Sequence, residues 1–92
     1  MTKKQQLEFL IKAYINKEYD VKTFCDEFTR IFYQEKNDKE IISNEEFEVF
    51  KDLAHECDRY TPYAEDLSLS KYFVSDEYID NVIKKAYRLL GW

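Results

Sequence analysis

Apolar residues recur at helical spacing in four stretches of the chain. Leu7, Leu10, Ile11, Tyr14 and Ile15 follow the i, i+3, i+4, i+7 rhythm of one buried face and predict a helix over 2–16. Val21, Phe24, Cys25, Phe28, Ile31 and Phe32 do the same over 21–36, with Asp20 placed to cap the helix start. Three phenylalanines on that stripe make it the aromatic centre of the expected core. Phe47, Phe50, Leu53, Ala54 and Cys57 predict a third helix. It opens at Ser43, where Ser43 and Glu46 have capping-box spacing, and ends between Asp58 and Tyr60. Ile79, Val82, Ile83, Ala86 and Leu90 predict a last helix, starting after Ser75 and closed by Gly91 at the left-handed C′ position.

Polar or helix-breaking segments separate these stripes. Lys17-Glu18-Tyr19 is a short connector, Asn37-Asp38-Lys39-Glu40 a second break, and Pro62 stops the third helix. The span 61–74 is the longest irregular stretch, with room for a short helical turn at 64–67. Short connections make the first three helices antiparallel neighbours. The expected fold is therefore all-α: a single-domain antiparallel four-helix bundle over 1–92, a monomer when free because its aromatic interior needs no partner to fill it.

Composition removes several kinds of chemistry. With one glycine in 92 residues there is no glycine-rich phosphate loop and no nucleophile elbow. Nineteen acids against fourteen bases argue against direct binding of nucleic acid or of an anionic membrane. Cys25 and Cys57 form no CxxC, and no apolar run reaches the length of a signal peptide or membrane span. The expectation is a cytoplasmic protein whose thiols behave as small buried apolar groups. His55 is the single histidine and falls beside an acidic helix face. A dyad with Cys57 fails, because residues two apart on a helix point roughly 200° from each other. Glu48, Asp52 and Glu56 read as a solvated face, not as metal ligands. No catalytic residue, cofactor or metal is expected.

Charge is distributed unevenly. Residues 1–37 carry a net +1, residues 38–80 a net −9, and residues 81–92 a net +3. At 100° per residue, Glu45, Glu48, Asp52 and Glu56 fall within about 80° of one another, opposite the apolar face of the third helix. Like charges one turn apart destabilise a helix by a few tenths of a kcal/mol per pair, so this ridge carries a small cost. Tyr60, Tyr63, Tyr72, Phe73 and Tyr78 are interleaved with further acids. Tyr60 and Phe73 are expected in the core, whereas an exposed Tyr63 beside carboxylates suits an interface. An acidic ridge with tyrosines points to a basic protein as partner, nucleic-acid-binding enzymes being the commonest of that kind. The alternative is a helical adaptor or regulatory subunit that docks a protein through Tyr63, Tyr72 and Tyr78.

Along nearly its whole length the chain also resembles the colicin D immunity-like family of small acidic bacterial immunity proteins. The likeness lies in Phe24-Cys25-Asp26-Glu27-Phe28 followed by Ile31-Phe32-Tyr33, in the stretch from Phe47 to Leu53, and above all in Asp58-Arg59-Tyr60-Thr61-Pro62 with Glu65-Asp66 after it. Tyr72-Phe73-Val74-Ser75-Asp76-Glu77 leads into the terminal helix. Where members often carry an arginine after the proline-acidic turn, this chain has Leu67-Ser68-Leu69-Ser70. The resemblance implies an inhibitor that binds the nuclease domain of a cognate toxin, typically a ribonuclease acting on transfer RNA, and covers its basic groove. It would place Asp58, Glu65 and Asp66 in the contact surface, beside Glu45, Glu48, Asp52, Glu56 and Tyr63 from the charge and aromatic patterns.

Overall fold

The computed structural model describes residues 2–34 and 44–91. The chain is all-α, with five helices among those residues: α1 (Lys3–Ile15), α2 (Val21–Tyr33), α3 (Asn44–Asp58), α4 (Ala64–Leu69) and α5 (Asp76–Leu89). The expected Ser43 cap, the break at Asn37 to Glu40 and the end of the second helix at Lys36 lie outside the described residues. α4 is the turn anticipated at 64–67, extended to Leu69.

α1, α2 and α5 each start where a side chain satisfies an otherwise orphaned amide. Thr2 accepts from the Gln5 amide at 3.1 Å while Gln5 accepts from the Thr2 amide at 3.0 Å, a reciprocal capping box. Asp20 accepts from the Thr23 amide at 2.7 Å, and Ser75 accepts from the Tyr78 amide at 3.3 Å. α1 ends in paired bonds from Lys17 to the Tyr14 carbonyl and from Glu18 to the Ala13 carbonyl, both 2.9 Å. This closure requires a left-handed residue, and Lys17 supplies it at φ 64° without being glycine. Gly91 does the same for α5 at φ 74°, as its position in the sequence indicates. Within the described span α2 ends at Tyr33, earlier than the expected 36. There Gln34 turns to an extended conformation.

α1 packs on α2, α2 on α3, α3 on α5, and α5 returns against α1 and α2. Their shared core holds the fully buried Leu7, Ile11, Phe24, Phe28, Phe50, Leu53, Ile79 and Ile83. An aromatic chain runs through it: Tyr14 to Phe24 at 5.4 Å, Phe24 to Phe28 at 5.2 Å, and Phe28 to Phe50 at 6.4 Å between ring centroids. Phe47, expected on the buried face, is 44% exposed. It sits in the first turn of α3 and covers Phe32 from outside, with centroids 5.9 Å apart. Tyr60 packs against the core as expected, whereas Phe73 is half-buried and meets Tyr72 edge-on at 5.5 Å.

One isolated parallel bridge pairs Tyr60 with Val74. Val74 donates to the Arg59 carbonyl at 2.9 Å and Thr61 donates to the Val74 carbonyl at 3.2 Å. The bridge closes the excursion after Pro62 into a loop that carries α4. No residue of α4 is buried. A six-residue helix cannot persist on its own backbone bonds, so its position depends on the residues that fasten the loop.

Candidate interaction surface

α3 carries the acidic ridge. Glu45, Glu48 and Asp52 are exposed and Glu56 is half-buried. Glu48 pairs with Lys51 at 3.2 Å, an exposed ion pair of little energetic weight. Glu45 and Asp52 have no ion pair among the described residues. Glu46, off the ridge, reaches across to Lys4 of α1 at 3.1 Å and helps hold the two helices together.

Other acids of the negative segment are occupied within the chain. Asp58 accepts a 2.6 Å bond from the Tyr33 hydroxyl, which burial and then this carboxylate push up to about 12. Asp66 accepts from the buried Thr61 hydroxyl at 2.7 Å, and that hydroxyl accepts in turn from the Tyr63 amide at 3.2 Å. Asp80 accepts from the Tyr14 hydroxyl at 2.6 Å and pairs with Lys84 at 2.8 Å. Lys84 first, then Tyr14, holds the Asp80 carboxyl below its ordinary value. Burial, followed by the bond to Asp80, raises Tyr14 in return. Burial first, then the Asp76 carboxylate, raises the Tyr60 hydroxyl above its ordinary value. Glu65 and Tyr63 remain outward, Tyr63 at 65% exposure.

Arg59 is the centre that fastens α4. Its guanidinium donates to Glu56 at 3.1 Å and to the Tyr72 carbonyl at 2.8 Å. It also lies 5.7 Å from the ring centroids of Tyr72 and of Tyr78. Two of the three tyrosines considered for docking therefore face an internal cation. Glu56 and Tyr78 belong equally to a groove of about 390 Å³ between α3 and α5. Leu53 and Ala86 form its floor, with Val49, Val82 and the 63% exposed Leu89 around it. Asp52, His55 and Glu56 stand on the α3 side, Tyr78 and Lys85 on the α5 side.

No family model, curated protein or solved structure matches this chain. Its chemistry therefore rests on the surface itself. Among the described residues no group of three or more His, Cys, Asp and Glu side chains is arranged to hold a metal ion. No helix there is long and apolar enough to cross a membrane. Cys25 and Cys57 are both buried, and the neighbouring Cys25 side chain, then burial, raises the Cys57 thiol well above its ordinary value. Such a thiol is a poor nucleophile.

The structure thus divides the eight residues marked in the sequence. Glu45, Glu48, Asp52, Glu65 and Tyr63 face outward; Asp58 is also exposed but bonded to Tyr33, and Glu56 and Asp66 are half-buried against Arg59 and Thr61. The Glu56–Arg59 spacing of i, i+3 was readable as a helical pair. The stacking of Arg59 on Tyr72 and Tyr78 was not, because it depends on how the loop returns through the Val74 bridge.

Proposed function

We propose that the chain is a bacterial immunity protein of the colicin D immunity-like kind, an antiparallel four-helix bundle formed by α1, α2, α3 and α5. It is a cytoplasmic, non-enzymatic monomer that binds a cognate nuclease toxin, one that cleaves transfer RNA, and covers its basic substrate groove. One observation carries the reading: Glu45, Asp52 and Glu65 are exposed and have no ion pair among the described residues, in a segment of net −9. Glu56, Asp58, Asp66 and Asp80 have structural duties; these do not. Carboxylates one turn apart repeat negative charge every ~6 Å along α3, as a nucleic-acid backbone repeats its phosphates. A cationic groove built for phosphates suits such a ridge, and long-range attraction speeds the encounter.

The adaptor reading draws on Tyr63 at 65% and Leu69 at 81% exposure. It loses ground because Tyr72 and Tyr78 are engaged with Arg59. The deciding experiment tests whether the adjacent upstream reading frame encodes a protein with a basic C-terminal nuclease domain, and co-expresses that domain with the chain. Co-purification of a stoichiometric complex and loss of transfer-RNA cleavage are expected. A nuclease that neither co-purifies nor loses activity would sink the proposal.

A further inference from the structure

The α3/α5 groove already displays an arginine site at one end. There the chain's own Arg59 pairs with Glu56 of α3 at 3.1 Å and lies 5.7 Å over the ring of Tyr78 from α5. One helical turn back, Asp52 repeats the carboxylate on the same face of α3 and lines the same groove. It is exposed and has no ion pair among the described residues. Beside it the walls become apolar, from Val49, Leu53 and Val82. Apolar walls beneath an unpaired carboxylate match the two halves of an arginine side chain, an aliphatic stem and a cationic fork. Lys85 stands on the α5 flank, so an incoming guanidinium is repelled there and directed to Asp52.

We infer that this groove is a subsite for an arginine of the basic partner, its stem along Val49, Leu53 and Val82 and its guanidinium on Asp52. The inference rests on the proposed function and adds which chemistry of the partner is recognised and where. A second copy of the chain fits less well, because each copy carries a net charge of −5 and the groove borders the most acidic helix face.

Two measurements separate the inference from the reading beneath it. In the first, Nα-acetyl-arginine amide and its neutral isostere Nα-acetyl-citrulline amide are titrated into the intact protein, and methyl resonances of Val49, Val82 and Leu89 are followed by NMR. The arginine probe should move them in wild type and not in Asp52→Asn, and the citrulline probe should leave them in place. In the second, the nuclease domain is bound to wild type, Asp52→Asn and the off-groove control Glu65→Gln. Asp52→Asn should lose at least about tenfold in affinity through faster dissociation, and Glu65→Gln only a few-fold, as for a rim charge. The subsite is overturned if Asp52→Asn binds as Glu65→Gln does, or if the two probes shift the groove alike. Failure of wild type to bind any such nuclease, with the arginine probe still selective, would remove the immunity reading and keep the subsite.

Discussion

Replacing Arg59 with alanine removes the side chain that joins α3, the loop after Pro62 and α5. Its charged hydrogen bond to the Tyr72 carbonyl, with the guanidinium about 30% exposed, contributes ~1.5 kcal/mol, the low end for such bonds. The two ring contacts add ~0.5 kcal/mol each and the partly exposed pair with Glu56 a further ~0.5 kcal/mol. The sum is roughly 3 kcal/mol, a sizeable part of the ~5–15 kcal/mol that holds a domain folded. If the loss reaches the global transition, the thermal midpoint falls by roughly 12 °C or more. If it is confined to the loop, the Thr61 and Val74 amides that form the bridge exchange faster while core amides keep their protection. Thermal unfolding followed by circular dichroism, together with hydrogen exchange, reads both. Lysine should recover less than half of the loss, because it lacks the planar fork that serves Glu56 and the Tyr72 carbonyl together. A midpoint within about 2 °C of wild type and unchanged exchange at Thr61 and Val74 would refute this account of how the loop is held.

Phe28→Ala empties a fully buried position against Phe24 and Phe50 and should cost about 3–5 kcal/mol, read as a lower urea midpoint; a loss under ~1 kcal/mol would mean that the aromatic chain is not the core's mainstay. Lys17→Gly relieves the left-handed backbone at the end of α1 and should raise stability by about 1 kcal/mol in the same assay; a decrease would contradict the strain argument. Tyr14 contributes stability that is fully present below its ordinary value of 10.0 and is lost as pH rises through its higher folded value. Asp80 contributes stability present above 3.8 and lost as pH falls through its lowered value. Tyr14→Phe should therefore flatten the alkaline limb of a stability–pH curve and, with Lys84 still in place, only part of the acid limb; parallel curves for the two proteins would show the Tyr14–Asp80 bond to be without weight.

The helices were legible because each stripe of apolar residues has one period and one capping residue: Asp20 and Ser75 cap where the pattern places them. Periodicity gives an angle and not a depth: Phe47 has the angle of the buried face, but the first turn of α3 lies at the edge of the core. The acidic ridge was legible for the same reason as the core, since both are angles on one helix. The division of labour among its acids was not. Asp58 meets Tyr33 across 25 positions and Asp80 meets Tyr14 across 66, pairings created only when the helices pack. The groove is likewise a product of α3 lying against α5, and neither helix shows it alone.

The central claim is recognition by charge of a basic nuclease. It is tested most directly by measuring the affinity for the nuclease domain at low and at physiological salt, for wild type and for Glu45→Lys/Glu48→Lys/Asp52→Lys. These positions are exposed and lie opposite the packed face of α3, so helical content should hold and the thermal midpoint should move little. The account predicts wild-type binding that weakens steeply with salt through slower association, and a triple variant that binds weakly at either salt concentration. Wild-type affinity indifferent to salt, or a folded triple variant that binds as tightly as wild type, would contradict it.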